Sequence, residues 1–401
     1  MPETELLAKP LDALIDSCVA DAQAQTGLTQ MPGIVVSPYR FNPLGAHIDH
    51  QGGSVLARCL DQYTILCFWP SDDSSCSLSC QLGGSWQSVK FSAGEQHELF
   101  GWDSMFSASA AAFNAHTGMS RGIKGAVFGT LVSGGLSSSA SVILAYLSAF
   151  ASVNDTTLNP AELVELCRQV ENDYRGLNNG IQDQMSIAFG RKDHLACLHM
   201  NTVSADMAAD PAGMESVCFL MCYSGVSRNL AGSGFNTRVA ECQEAARLLC
   251  PDARHLGEVP VTLRSERDLS GLPDLPQRRA RHVYSEMARV AEGFDAWTQG
   301  HWRRFGSLMN ASCRSSIDDY ESGSEWLIAL HEIGAAIDGV YGNRFSGGGY
   351  GGCLFLLVEA ANVTDIAHQL MQQYLARYPE MQGHARVSIA QSEGTVRVFQ
   401  G

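Results

Sequence analysis

A strand that runs through a glycine- and serine-rich loop into an apolar helix is the feature that most constrains this chain. The segment is GTLVSGGLSSSASVILA, residues 129–145. Glycines let the backbone approach a ligand without a Cβ clash, and the start of a helix offers unpaired N–H groups with partial positive charge. Together they predict an anion site, most naturally for phosphate. The alternative is a plain linker that caps a buried helix. The loop is neither a Walker A loop nor a GxGxxG loop.

A second segment is crowded with polar side chains. It reads RFNPLGAHIDHQGG, residues 40–53, and contains Arg40, His47, Asp49 and His50. Polar groups beside a buried strand are costly unless something satisfies them, and the hydroxyls of a sugar would do so. Two alternatives stay open at this point: a metal site made from the two histidines and the aspartate, and mutual satisfaction inside the fold without a ligand.

Glycine dominates a third segment, FSGGGYGGCLFLLV, residues 345–358. So many glycines before a strand are expensive in chain entropy. They are tolerable where the backbone must pass close to a neighbouring loop or a substrate. The alternative is a tight crossing between domains.

The fourth segment carries two candidate carboxylates. It reads VENDYRGLNNGIQDQMSIAFG, residues 170–190, with Glu171 on a predicted helix and Asp183 after two turn signals. Asp183 leads into an apolar helical stretch. It is therefore either a functional carboxylate at the mouth of a glycine-turned helix or a plain helix N-cap.

Charge and cysteine content limit the partners of the chain. There are 27 Lys and Arg against 42 Asp and Glu, which gives a net charge of −15. Such a surface repels nucleic acid and anionic membranes, so we expect neither as a partner. No apolar run reaches the roughly 18 residues of a membrane span. The scattered cysteines predict reduced thiols in a cytoplasmic protein, and Cys76 with Cys80 lacks the second ligand pair that a zinc site needs.

Strands and helices alternate along the chain without a strict βαβ rhythm. This pattern predicts an α+β protein of two domains. We set the boundary near residue 205, so that residues 1–205 hold the polar segment and the Gly/Ser loop, and residues 206–401 hold the glycine-rich segment.

Taken together and in this order, the four segments resemble the GHMP small-molecule kinases, most closely the galactokinase-like members. RFNPLGAHIDHQGG is similar to the galactokinase signature, GGLSSSA to the ATP phosphate loop, GIQDQ to Gly-Ile-Met-Asp-Gln, and SGGGYGG to the C-terminal glycine motif. The string SPYR-x-x-PLGAHIDHQGG resembles galacturonokinases more closely than galactokinases. The resemblance implies an N-terminal domain like ribosomal S5 domain 2, a ferredoxin-like C-terminal domain, and ATP-dependent phosphorylation of a sugar at its anomeric hydroxyl.

The resemblance also implies a role for individual residues. Asp183 is the implied catalytic base, and Arg40 the residue that keeps it ionised and faces the transferred phosphoryl group. The implied sugar-binding residues are Arg40, Ala46, His47, Asp49, Gly180, Asp183 and Phe235. The implied ATP-binding residues are Ser133, Gly134, Gly135, Leu136, Ser137, Ser138 and Ser139. The implied ligands of Mg²⁺ are Ser139 and Glu171.

This chain departs from the galactokinase pattern in the sugar pocket. Ala46 replaces the Glu that binds the hydroxyl on carbon 6 of galactose, Phe235 stands for a sugar-contacting Tyr, and His50 for another Tyr. Losing the Glu should weaken galactose by about 1.5–3 kcal/mol. It also removes a repulsion of about 4 kcal/mol toward a carboxylate on carbon 6 at about 4 Å, for an effective dielectric near 20.

The sequence therefore favours D-galacturonate as the substrate. Three alternatives stay open: galactokinase, a kinase of another sugar such as a modified galactose, and a sugar-sensing regulatory protein with little catalysis. The catalytic set is intact, which favours an enzyme. Trp102 is a candidate for stacking on adenine, and the sequence is compatible with a monomer or a homodimer.

Overall fold

Two sheets of mainly antiparallel strands, with helices packed against them, make up the architecture. The computed structural model describes residues 6–82, 84–93, 102–131, 136, 138–174, 180–227 and 235–401. The helices are α1 Leu11–Thr26, α2 Trp102–Thr117, α3 Ser138–Val153, α4 Pro160–Arg168, α5 Gln182–Ala188, α6 Phe235–Leu249, α7 Glu266–Leu269, α8 Asp274–Thr298, α9 Trp302–Asp318, α10 Glu325–Ala335 and α11 Val363–Arg377. The strands are β1 Gly33–Leu44, β2 Val55–Pro70, β3 Ser75–Leu82, β4 Ser85–Ser92, β5 Ile123–Gly129, β6 His194–His199, β7 Ser204–Ala209, β8 Val217–Tyr223, β9 Val340–Phe345, β10 Cys353–Glu359, β11 Arg386–Ala390, β12 Ser392–Glu393 and β13 Arg397–Phe399.

The larger sheet is built mostly from the first half of the chain. Its main path runs β13-β1-β2-β5-β3-β4, while β12 and β6 also pair with β2, and β7 pairs with β6. The strands β12 and β13 come from the end of the chain, so both halves contribute to this sheet. Residue 205 lies within β7, and the division into two domains at that residue stays a prediction.

The smaller sheet has the order β11-β8-β10-β9, with every pair antiparallel. The two sheets meet through aromatic side chains. Phe41 of β1 stacks on Phe355 of β10 with ring centroids 4.3 Å apart, and it meets Phe219 of β8 edge-on at 4.8 Å. The polar segment after β1 is thus fixed against the sheet that carries the glycine-rich turn. The α+β expectation is confirmed.

Strand β2 corrects one expectation from the sequence. Residues 54–60 and 63–69 read as separate strands, whereas the structure has one strand over Val55–Pro70. The register against β1 shifts between Pro38 and Tyr39. Asp61 and Gln62, which lie between the two predicted strands, are the residues left without a partner on β1 at this bulge. The N–H of Asp61 donates to the carbonyl of Gln391, 3.2 Å away.

Helix α4 begins as expected and ends differently. Asn159 accepts a hydrogen bond from the N–H of Glu162, whose side chain accepts one from the N–H of Asn159, so the predicted N-cap is confirmed as a capping box. The helix was expected to run to Tyr174. It widens instead into a π-helical turn over Gln169–Tyr174. Such turns are frequent at functional sites.

The cysteines are free thiols, and most of them are buried. Cys76 and Cys80 lie on β3, where they face Phe91 and Gln87 of β4. Burial raises the pKa of each thiol to about 11. Zinc binds the thiolate form, so their environment does not favour a metal site.

Candidate active site

One cavity, partly open to solvent, is lined by residues from all four sequence segments. The lining residues are Arg40, Asn42, Gly45, Ala46, His47, Asp49, Ser139, Glu171, Gly180, Gln182, Asp183, Arg344, Gly347 and Gly348. The start of α3, the end of β1, the π-helical turn, the start of α5 and the glycine-rich turn after β9 therefore meet at a single place.

Arg40 and Asp183 form an ion pair on the wall of the cavity. Arg40 donates to Oδ1 of Asp183 from Nη2 at 2.5 Å and from Nε at 3.0 Å, and from Nη1 to Oγ of Ser346 at 3.1 Å. The arginine is only 1% exposed, whereas the side chain of the aspartate is 26% exposed. Helix α5 begins at Gln182 with Ile181 as its N-cap. Asp183 thus lies inside the first turn, and the plain N-cap interpretation is wrong.

Glu171 and Ser139 face the same cavity from two different helical elements. Glu171 lies on the π-helical turn, is 2% exposed, and accepts a hydrogen bond from the amide of Gln184. Ser139 lies in the first turn of α3. A carboxylate and a hydroxyl are the hard oxygen donors that Mg²⁺ takes in small number beside phosphates and water.

His47 is held in an unusual backbone conformation by its neighbours. Its φ is 59°, a value uncommon outside glycine. Its Nε2 lies 3.1 Å from Oγ of Ser322, and its ring stacks on Tyr320 with centroids 4.3 Å apart. The surrounding side chains therefore fix the position of the imidazole at the wall of the cavity.

Asp49 and His50 interact with each other. Nδ1 of His50 lies 3.2 Å from Oδ1 of Asp49, and its Nε2 lies 3.4 Å from the hydroxyl of Tyr320. Part of the polar segment is thus satisfied inside the fold. Over the described ranges, no group of three or more His, Cys, Asp or Glu side chains could hold a metal ion. The metal interpretation of this segment gains no support.

Gly180 is required by close packing against Asp49. A Cβ at residue 180 would lie 1.8 Å from Oδ2 of Asp49, a distance that no real contact allows. The absence of a side chain at Gly180 therefore lets Asp49 point along the cavity wall. The sequence offered the Asn-Gly turn as the signal for this glycine, but not its contact.

A buried carboxylate that the sequence did not reveal accepts hydrogen bonds from the backbone of the polar segment. Glu286 of α8 is fully buried, and its Oε1 accepts from the N–H groups of Gly45 and Ala46 at 2.7 and 3.0 Å. Arg289 donates to its Oε2 at 2.6 Å, and Arg344 lies 3.6 Å from its Oε1. Burial alone would raise the pKa of Glu286, but the two arginines outweigh it and lower that pKa to about 2. The helical periodicity of the α8 sequence does not distinguish this buried glutamate from the exposed acids of the same helix.

Two cavity residues carry amide oxygens without a partner. Oδ1 of Asn42 and Oε1 of Gln182 are buried and accept no hydrogen bond from the described residues. Buried polar atoms are nearly always hydrogen-bonded in native proteins. Their presence here favours a polar ligand or water that donates to them.

Several expected site residues lie partly or wholly outside the described residues. Those wholly outside are Ser133, Gly134, Gly135 and Ser137. Leu136 is buried, and its carbonyl accepts from the N–H of Arg40 at 3.3 Å. Ser138 begins α3, and Phe235 begins α6 with its side chain outside the description. Nε1 of Trp102 donates to the side chain of Gln87 at 3.0 Å, and its suggested contact with adenine stays a prediction.

Two family models match this chain. The GHMP kinases N terminal domain matches residues 105–191, and the galactokinase galactose-binding signature matches residues 25–70. These ranges contain the start of α3 with Glu171 and Asp183, and the polar segment with Arg40 and Ala46.

Named relatives match along most of the chain. A galacturonokinase of Arabidopsis thaliana is 35% identical over 398 residues, covering 91% of this chain and 93% of its own. A galactokinase of Roseiflexus sp. is 32% identical, covering 85% of this chain and 87% of its own. A galactokinase of Homo sapiens is 31% identical, covering 86% and 88%.

Solved structures agree with the fold. Lactococcus lactis galactokinase complexed with galactose superposes with a TM-score of 0.86 at 27% identity, covering 96% of this chain and 99% of its own. Methanococcus jannaschii mevalonate kinase superposes with a TM-score of 0.65 at 15% identity, covering 92% and 100%, and shares the fold. The fold and the site define the class: the chain belongs to the GHMP kinases and is galactokinase-like. It is an ATP-dependent sugar kinase.

Proposed function

We propose that this kinase phosphorylates the anomeric hydroxyl of D-galacturonate to give galacturonate 1-phosphate. The observation that carries the choice of sugar is Ala46. Its methyl group lines the cavity where galactokinases have a glutamate. The resemblance to a plant galacturonokinase along 91% of the chain supports the same choice.

The transfer requires a base, positioning and neutralised charge. The anomeric oxygen attacks the γ-phosphorus of ATP, the bond between that phosphorus and the β,γ-bridging oxygen breaks, and ADP leaves. Asp183 is the base that takes the hydroxyl proton. Arg40 holds this carboxylate in place by two hydrogen bonds to Oδ1. Phosphoryl transfer depends mostly on such positioning and electrostatic stabilisation.

The residues present fit a Mg²⁺ ion. Glu171 and Ser139 would hold it, with phosphate oxygens and water completing the shell. Gln184 orients the buried Glu171 carboxylate, and the hydroxyl-bearing Ser139 lines the same cavity. When bound, the ion neutralises charge on the phosphates. Residues 133–139 are the proposed phosphate loop.

Galactose and galacturonate differ at carbon 6, which carries a hydroxyl group in galactose and a carboxylate in galacturonate. A methyl group at residue 46 neither binds the carbon-6 hydroxyl of galactose nor repels the carboxylate of galacturonate. A glutamate would do both, so the substitution acts on the two affinities with opposite sign. Galactose is the second candidate because galactokinases match the chain at 31–32% identity.

The proposal includes a reducing, cytoplasmic compartment for this kinase. The thirteen free cysteines support that compartment. No helix within the described residues could cross a membrane.

Release of ADP from MgATP with galacturonate, glucuronate and galactose side by side tests the proposal. We expect the highest kcat/KM with galacturonate. Turnover with galactose alone would overturn the choice of sugar, and binding of sugar and ATP without turnover would instead favour a sensing role.

A further inference from the structure

Arg344 is a buried cation on the cavity wall that lies outside the four sequence segments described above. It is the fifth residue of β9, directly before Phe345 and the glycine-rich turn. The residue is only 2% exposed, yet it lines the cavity. Arginine is almost never buried without partners.

The guanidinium of Arg344 is only partly engaged. Its Nε donates to the carbonyl of Phe345 at 3.1 Å, and its Nη1 donates to Oγ of Ser312 at 2.9 Å. No residue that the structure describes accepts a hydrogen bond from Nη2. The Nη2 group is therefore available to a ligand.

The charge of Arg344 is also incompletely balanced. Its nearest carboxylate, Glu286, lies 3.6 Å away and is shared with Arg289, which is closer at 2.6 Å. Burial lowers the pKa of Arg344, Glu286 raises it, and the nearby Arg289 and Arg40 lower it again. A further negative charge at this point would be stabilised.

Arg344 lies on the same side of the cavity as residue 46. The N–H of Ala46 and Nη1 of Arg344 both approach Oε1 of Glu286, at 3.0 and 3.6 Å. Ala46 lines the same cavity as Arg344, and its side chain is only a methyl group. Arg40, the other arginine of the cavity wall, already donates to Asp183 and Ser346.

We propose that Arg344 binds the carbon-6 carboxylate of the substrate. The inference rests on the proposed galacturonate 1-kinase function and names the residue that recognises the acid. The substrate supplies the negative charge that the protein lacks at residue 46. Arginine suits this task because its planar fork can hold a carboxylate by two hydrogen bonds.

The test compares galacturonate with its uncharged methyl ester, and with galactose, in four proteins. These are the wild type, Arg344→Gln, Arg344→Lys and the control Arg289→Gln. Arg289 binds the same Glu286 but does not line the cavity. The readouts are kcat and KM for each sugar, with ATP binding and thermal unfolding as checks that each variant is folded.

We expect the wild type to prefer the acid over the ester by tenfold or more, the scale of a hydrogen bond to a charged group. Arg344→Gln should raise KM for galacturonate by a similar factor and remove most of the preference for the acid. Arg344→Lys should keep part of it. Arg289→Gln should change the three sugars alike.

Two results would overturn the inference. One is a wild type that uses acid and ester equally well. The other is that Arg344→Gln and Arg289→Gln each raise KM by the same factor for all three sugars. Arg344 would then only hold Glu286 in place. If Arg344→Gln does not fold, Arg344→Lys and the ester comparison decide. A wild type that turns over galactose but neither uronic compound would refute the proposed function itself.

Discussion

Arg40 and Asp183 are 143 residues apart in the chain, yet Nη2 of the arginine lies 2.5 Å from Oδ1 of the aspartate. The arginine is buried and the carboxylate is partly open to the cavity. A fixed cation behind a reachable carboxylate is an arrangement suited to a base that must stay ionised until a hydroxyl arrives.

Asp183→Asn should lower kcat by about 10²-fold or more, because an amide cannot take the proton from the hydroxyl. ATP binding should persist, since Arg40 can still donate to the amide oxygen. The measurement is steady-state turnover together with nucleotide binding by calorimetry. Turnover close to that of the wild type would show that Asp183 only positions Arg40.

Glu171→Gln and Ser139→Ala should each raise the Mg²⁺ concentration needed for half-maximal rate, because each removes or weakens a proposed hard oxygen ligand. The sugar KM should move less. Glu165→Gln is a matched control, since this glutamate lies on the preceding helix and pairs with Arg168 at the surface. An unchanged Mg²⁺ requirement with a lower melting temperature would make Glu171 structural.

Gly180→Ala should raise the sugar KM, since the new Cβ would collide with Oδ2 of Asp49. Displacement of such a group by about 1 Å can cost about 10²-fold in rate. Gly271→Ala is the control, because a Cβ there meets only the carbonyl of Asp268 at 3.4 Å. Equal kinetics for the two variants would mean that Asp49 does not position the sugar.

Acidification should destabilise the protein through His282. This histidine is buried behind Ala46, whose carbonyl lies 3.0 Å from its Nε2. Burial lowers its pKa from 6.5 to about 4, although Glu286 opposes the shift. Below pH 6.5 the unfolded chain therefore binds more protons than the folded protein. The contribution of His282 to stability is present above pH 6.5 and is lost as the pH falls toward 4.

Between pH 7 and pH 5, protonation linked to His282 should lower the free energy of unfolding by about 2 kcal/mol, at about 1.4 kcal/mol per pH unit. Denaturant unfolding at the two pH values measures it. His282→Gln does not titrate and should lose less stability over the same interval. An identical loss in both proteins would assign the effect to other groups.

Ala46→Glu should reverse part of the proposed preference for galacturonate over galactose. The new carboxylate can accept a hydrogen bond from the carbon-6 hydroxyl, and it repels the carbon-6 carboxylate. It would also compete with the substrate for Arg344. Ala46→Gln is the control of similar size without the charge. If Ala46→Glu damages both sugars equally, carbon 6 does not face residue 46.

Much of the cavity could be predicted because its residues leave local signals. Glycine runs and polar clusters beside buried strands stand out from the alternation that builds sheets and helices. Arg40, Ser139, Glu171, Gly180 and Asp183 all come from such segments, and they line one cavity.

The residues behind the cavity could not be predicted from the sequence in the same way. Glu286 and Arg344 lie in an ordinary helix and an ordinary strand, and only the tertiary fold buries them together. The return of β12 and β13 to the larger sheet is also a long-range pairing. Short segments such as these carry little periodicity, so their partners are set by packing.

A competition assay decides between galacturonate and galactose as the substrate. The wild type receives equal concentrations of galacturonate and galactose with limiting MgATP, and the two sugar 1-phosphates are resolved by phosphorus NMR. We expect galacturonate 1-phosphate to dominate by tenfold or more, since Ala46 removes a repulsion of several kcal/mol and a hydrogen-bond acceptor for galactose. Galactose 1-phosphate in equal or greater amount would contradict it.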